Sequence, residues 1–338
     1  MNSNRLTHTG TLQTLGLLLA AQTWLSSPAV AEELVTDRVF APHSFWYQAI
    51  PAEVPLHPNS AGFTADFLRQ KKAFYNTVNV QTRDYASPVY TVGADVPTVK
   101  VTQWDCQKRG MTDPGLAQQW AAVPIPDHAQ QSKGTDGEMT IYQPSTNTVW
   151  EFWQTRKVDG KWQACWGGRL QNAQQSHGTF PGHYGTTATS LPFLGGQITA
   201  EELRRGEIKH AIGIALVETE GAHLYSWPAN RSDGLNPNKV PNRIPEGIRF
   251  RLDPSIDVDK LPMSKAGKII AKAAQKYGFI VWDKSGAIAI RAQNTVSYTA
   301  LGQPDPYPEL FGGKPNYAVL QGFPWDKLQF LPMDYGKP

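Results

Sequence analysis

Cysteine is almost absent from this chain of 338 residues: only Cys106 and Cys165 occur. Two cysteines supply neither a zinc framework nor a disulfide-dense scaffold. Charge is sparse and balanced, with 32 Lys and Arg against 29 Asp and Glu, a formal net charge of +3, and no block of one sign. That leaves no electrostatic footprint for nucleic acid. The apolar run from Leu15 to Ala21 covers seven residues, far short of the ~20 that span a bilayer. Phosphate loops, H-E-x-x-H and paired C-x-x-C motifs are all missing, which argues against nucleotide and zinc enzymes. What the chain does have is 29 Gly, 26 Pro, 11 Trp and 12 Tyr, the texture of an ordered, turn-rich and aromatic-rich protein.

Residues 1–31 read as a secretory signal peptide. Arg5 supplies the positive n-region, Leu15 to Ala21 the apolar h-region, and Ala29-Val30-Ala31 an A-x-A cleavage site. The expectation is a periplasmic or secreted protein with no membrane insertion once the signal is removed. Residues 32–338 then form a single β-rich domain, whose Pro- and Gly-rich ends, 32–62 and 294–338, wrap it as ordered loops. In an oxidising compartment an even pair of cysteines reads as one disulfide, Cys106 to Cys165.

Short alternating runs of β-branched and aromatic residues, cut by Gly, Pro and Asp, predict strands over 78–83, 89–92, 98–104, 138–143, 148–157, 161–170, 208–217, 224–227, 248–252, 279–283 and 287–292. Helical periodicity is confined to 64–74, to 199–205 behind a Thr199-x-x-Glu202 capping box, and to 265–277, which ends at Gly278. The fold expected is mainly β, an antiparallel β-sandwich of jelly-roll type with a few short peripheral helices. A mixed α+β domain, with 265–277 covering one sheet, is the alternative.

Asp159-Gly160 is a two-residue turn signal between patterned runs, so 148–158 and 161–170 predict a hairpin. Register follows from the turn: Trp153 opposite Trp166, Glu151 opposite Gly168, Lys157 opposite Trp162, Trp150 opposite Arg169 and Gln154 opposite Cys165. A turn over 144–147 brings 138–143 alongside, with Thr140 opposite Glu151. One face then gathers Glu138, Thr140, Tyr142, Glu151, Trp153, Trp162 and Trp166. The other gathers Met139, Ile141, Trp150 and Phe152, the better core face.

Aromatic rings beside carboxylates suit sugar, because rings cover the C–H faces of pyranosides and acids reach the hydroxyls. Glu138 and Glu151, as diagonal neighbours, are the candidate carboxylate pair of a glycosidase, Glu138 as general acid and Glu151 as nucleophile or base. Trp153, Trp166, Trp162, Tyr142 and Arg169 are the candidate substrate-binding residues. The loop SHGTFPGHYGTTATSLP over 176–192 offers His183 and Tyr184 as proton-transfer groups, and His210, in an alternating run, is a further candidate base. Asp253, Asp257 and Asp259 lack the spacing and glycine of a calcium loop. No metal and no cofactor is expected.

The blocks PVYTVGADVPTVKV (88–101), TTATSLPFLGGQITAEELRRGEIKHAI (186–212), YSWPANRSDG (225–234), IPEGIRFRLDP (244–254), AAQKYGFIVWDKSGA (273–287) and FPWDKLQFL (323–331) resemble a group of uncharacterised secreted bacterial β-rich proteins. The resemblance implies export and one β-rich unit, and supplies no activity. The functional expectation is therefore an exported, monomeric, carbohydrate-active protein whose partner is a polysaccharide or oligosaccharide. A polysaccharide-degrading glycoside hydrolase leads. The alternatives are a polysaccharide lyase with a His/Tyr base, in which Arg169 neutralises a uronate, and a non-catalytic glycan-binding or envelope module.

Overall fold

The computed structural model describes Met1, Asn2 and residues 38–338. Apart from its first two residues, the export signal read over 1–31 lies outside the described residues.

Thirteen strands form three sheets among the described residues. They are β1 (Asn79–Gln81), β2 (Val89–Thr91), β3 (Thr102–Gln103), β4 (Met139–Gln143), β5 (Thr148–Trp153), β6 (Arg156–Val158), β7 (Lys161–Ala164), β8 (Trp166–Leu170), β9 (Ile212–Leu216), β10 (Arg249–Leu252), β11 (Phe279–Lys284), β12 (Ala289–Arg291) and β13 (Leu328–Phe330). The large sheet runs β1-β12-β9-β11-β10-β13, the second β2-β4-β5-β8, and the smallest β3-β7-β6. Five helices matter to the packing: α1 (Ser60–Ala73), α2 (Pro114–Gln119), α3 (Phe193–Gly196), α4 (Ala200–Arg205) and α5 (Lys265–Lys276).

Strand alternation sorts the side chains into layers. In the large sheet, Ile212, Ile214 and Leu216 of β9 and Phe279 and Val281 of β11 point to one side, into a core with α1 and α5. Ala215, Ile280 and Trp282 point to the other, where they meet Tyr142, Val149 and Leu170 of the second sheet. That sheet's far side packs Met139, Ile141, Trp150 and Phe152 against Leu116 and Trp120 around α2. Within residues 38–338 two sheets thus lie face to face, with helices outside each. Gly213 of β9 leaves room for the Trp282 ring of the adjacent strand β11, into which a Cβ there would run.

Local chemistry explains the elements. Ser264 caps α5 by accepting the Gly267 N–H at 3.0 Å. Its stripe of Ile269, Ile270, Ala273 and Ala274 is buried, and Gly278, at φ 77°, stops it. The Thr199/Glu202 capping box expected at α4 forms on both arms. Asp159 and Gly160 both take positive φ, 48° and 74°, the signature of the hairpin turn read from the sequence.

Register in the second sheet is as expected: Thr140 opposite Glu151, Trp150 opposite Arg169, Glu151 opposite Gly168 and Trp153 opposite Trp166. The hairpin does not continue as one ladder, because Gln154 turns to φ 50° and hands the chain to the third sheet. Trp162 therefore leaves the Glu138/Glu151 face and packs with Phe152 and Trp120. Four ladders, β1·β12, β9·β11, β2·β4 and β3·β7, are parallel. The purely antiparallel order of the expected jelly roll is therefore absent among the described residues: all three sheets are mixed, in a β-rich fold with helices packed outside it.

Residues 224–227, expected as a strand, are irregular chain between two turns. Their N–H groups go to Glu246 O from Ser226 and to the Asp334 carboxylate from Trp227, which leaves no ladder to make. β13 falls in a terminal stretch expected as wrapping loop, and it pairs along β10. Cys106 and Cys165 are disulfide-bonded, with Cα atoms 5.5 Å apart, tying the segment after β3 to the β7–β8 junction. No helix among the described residues is long and apolar enough to cross a membrane.

Candidate active site

The inter-sheet layer is apolar in its middle and polar at one end. There Glu138, just before β4, meets Asp283 of β11 and Arg291 of β12 around a cavity of about 420 Å³. Asp136, Glu138, Trp153, Trp166, Asp283 and Lys284 line it, with Thr186 and Arg231 in the wall contributed by loops.

Arg291 organises the acids. Its Nη1 donates to Glu138 Oε1 at 2.9 Å, and its Nη2 lies 3.6 Å from Asp283 Oδ2. Both Arg291 and Glu138 side chains are 3% exposed. The guanidinium lies 4.5 Å from the Phe193 ring centroid and 5.8 Å from that of Trp282, so aromatic faces replace water around it. One planar fork holds two carboxylates, which a lysine ammonium could not do with the same geometry.

Glu138 Oε2 is buried and has no hydrogen-bond partner among the described residues. Burial pushes this carboxyl up to about 7, against the pull of Arg291 and with the push of Asp136 and Asp283. Asp283 rises to about 6, again through burial opposed by Arg291; its Oδ1 accepts the Lys284 N–H at 2.9 Å. Glu246, behind Asp233 and Ser232, is raised to about 8 by burial and by Asp233. Arg291 thus holds two buried carboxyls, and burial raises the proton affinity of each against its pull.

The aromatic walls are fixed by hydrogen bonds and stacking. Trp153 Nε1 donates to Asp136 Oδ1 at 3.2 Å. Trp166 stacks on Tyr184 at 6.1 Å and lies 5.7 Å from His183, while its own Nε1 is buried without a partner among the described residues. Arg231 knits the loop wall, donating to Ser190 Oγ at 3.0 Å, Gly185 O at 3.1 Å and Thr187 O at 2.7 Å. Lys284 Nζ donates to Asp233 O at 2.9 Å.

Of the residues singled out from the sequence, Glu138, Trp153 and Trp166 come together at this cavity. Glu151 lies one layer deeper, fully buried. It accepts the Phe193 N–H at 2.6 Å and the Thr186 hydroxyl at 2.9 Å, and burial raises it to about 8. Tyr142 is in the inter-sheet core and Trp162 in the core beside α2. Arg169 stands opposite Trp150 on the second sheet, its N–H on Gln119 Oε1. His183 and Tyr184 both reach Asp113, at 3.5 and 3.1 Å, beside the neighbouring cavity under Trp166.

His210 is away from this group of side chains. Its Nδ1 donates to Ala211 O at 2.8 Å and its Nε2 faces Glu202 at 3.2 Å. Burial lowers its proton affinity, but the Glu202 carboxylate outweighs that and leaves it raised. Among the described residues no group of three or more His, Cys, Asp or Glu could hold a metal ion.

Asp136, Asp283, Lys284, Arg231 and Arg291 were not singled out from the sequence. Arg291 did leave a trace there, as a charge closing the apolar run Ala287-Ile288-Ala289-Ile290. Such a charge must either face solvent or find acids. Comparison with known protein families, characterised proteins and solved structures gives no match.

Proposed function

We propose that this protein is an exported glycoside hydrolase acting on a neutral polysaccharide, with Glu138 as general acid and Asp283 as its carboxylate partner. The observation that carries the reading is Glu138 itself. One oxygen is held by Arg291, and the other is buried and unpartnered at a cavity walled by Trp153 and Trp166. A carboxyl group anchored through one oxygen presents the other at a fixed place, as proton delivery to a glycosidic oxygen requires.

The environments also divide the labour. Glu138, the higher of the two at about 7, holds its proton where Asp283, at about 6, has lost its own; acid and base roles are separated in this way when environment pushes two carboxyls apart. Hydrolysis then needs only water: the proton of Glu138 goes to the leaving oxygen as the glycosidic bond breaks, and the Asp283 carboxylate assists attack on the anomeric carbon. The lining sets Asp136, Glu138, Asp233 and Asp283 against Arg109, Arg231 and Lys284, so it offers no excess of cations to hold a uronate, which makes a neutral sugar the better substrate. Glu151, closed off behind Thr186, supports the wall. The A-x-A leader and the disulfide support export.

The test is incubation of the mature protein with neutral and uronate polysaccharides, reading reducing ends and ultraviolet absorbance together. New reducing ends without absorbance, abolished by E138Q and D283N, support the hydrolase. An absorbing unsaturated product would identify a lyase instead. Saturable binding with neither signal would identify a binding module.

A further inference from the structure

The cavity around Glu138 has a neighbouring cavity on either side. It shares Gln107, Arg109 and Trp166 with a cavity of about 260 Å³. On the other side it shares Asp136 and Lys284 with one of about 640 Å³. The three cavities thus follow one another, neighbours sharing the side chains between them, with the candidate acid in the middle one. A site that takes only a chain end has no cavity beyond the terminal sugar; here cavities on both sides of the candidate acid offer places for sugars on both sides of the bond that is cut.

Both ends carry aromatic surfaces. The smaller cavity is lined by Trp104, Trp166 and His183. The larger is lined by Tyr75 and Tyr85, whose exposures are 77% and 40%. Tyr75 has φ 64° and Asn76 φ 55°, two consecutive left-handed residues just past the end of α1. Such a conformation costs of order 1 kcal/mol or more for a side chain with a Cβ, and here it places a tyrosine ring at the cavity. Tyr85 is tied to the centre: Asp84 O accepts the Gly134 N–H at 3.1 Å, in the turn that carries Asp136.

We propose, resting on the hydrolase reading above, that the protein is endo-acting: it binds an internal stretch of a neutral polysaccharide across all three cavities, with Tyr75 and Tyr85 as the outer platform at one end. The platform grips sugars several residues from the bond that is cut, through ring contact with their C–H faces. Binding energy collected so far from the reacting bond is available only to substrates long enough to reach it.

The experiment compares wild type with the double variant Y75A/Y85A, whose exposed rings can be removed without opening the core. Substrates are mixed-linkage glucan, xylan, galactomannan and amylose, and for each the short oligosaccharide of the same linkage. Polymer binding is measured separately in the E138Q background. The expected result is a rapid fall in polymer viscosity at low reducing-end yield. The double variant should lose about tenfold more kcat/KM on polymer than on the short substrate, and bind polymer about tenfold more weakly. Release of mono- or disaccharide in step with viscosity, or equal losses on long and short substrates, would overturn the proposal. If wild type yields no reducing ends from any polymer while Y75A/Y85A still weakens polymer binding tenfold, the hydrolase reading fails and polymer binding across the three cavities stands.

Discussion

Glu138 Oε1 and Arg291 Nη1 meet at 2.9 Å across the two facing sheets, joining residues 153 positions apart in the chain. The pair fixes where the sandwich ends as core and begins as cavity. Removing the cation while leaving the acids is the severe change, because Glu138 and Asp283 would stay buried without it. Arg291→Leu should lower unfolding free energy by about 3–5 kcal/mol in urea titration. Glu138→Gln keeps an oxygen for Arg291 and should cost far less stability while reducing turnover about 100-fold or more. Equal stability losses in the two variants would show that Arg291 does not depend on its acids.

The two carboxyls also set a pH profile. A base must be ionised, so activity should rise as pH climbs through about 6, where Asp283 loses its proton. An acid must be protonated, so activity should fall as pH climbs through about 7, where Glu138 loses its own. The expected kcat/KM profile is a narrow bell between these limits. A plateau extending to pH 9 would remove Glu138 from the acid role.

Much of the second sheet was legible in the sequence, and for a definite reason. Asp159-Gly160 pins a hairpin, and once one pair is fixed the period of two fixes every other pair. Glu138, Trp153 and Trp166 followed from that arithmetic. Trp162 keeps the partner that arithmetic gave it, Lys157, but not its face, since the ladder turns at Gln154, whose φ of 50° has no sequence mark as strong as glycine. Asp283 and Arg291 escaped for another reason: their partners lie on a different sheet, and no local pattern states which face of one sheet meets which face of another.

Stability should respond to pH through Glu151. Its carboxyl, raised to about 8 by burial, has an ordinary unfolded value of about 4.3. A raised acid holds in the folded state a proton that the unfolded chain releases. Its contribution is therefore fully present below about pH 4, falls as pH rises toward 8, and levels beyond. Glutamine at this position can accept the Phe193 N–H through its oxygen and donate to Thr186 through its amide. Glu151→Gln should raise Tm at pH 9 by several degrees and change it little at pH 5. A variant less stable than wild type at both pH values would show that the ionised carboxylate is the stabilising form.

The disulfide carries the last prediction. Cys106 and Cys165 close a loop whose ends differ by 59 positions, and in the chain-entropy view such a closure stabilises by roughly 2–4 kcal/mol. Position adds a second effect. Gln107 and Arg109 follow Cys106 directly and line the cavity, while Trp166 follows Cys165 and forms its wall. The bond therefore ties together the two segments that supply the side chains shared by the central and smaller cavities. The double change Cys106→Ala and Cys165→Ala should lower Tm and, at a temperature where the variant is fully folded, raise KM for polymer while leaving kcat close to that of wild type. Mass spectrometry of the unfolded, unreduced protein should find no free thiol. A variant with lowered Tm but unaltered KM would confine the bond to stability, and would show that Gln107 and Arg109 are held in place without it.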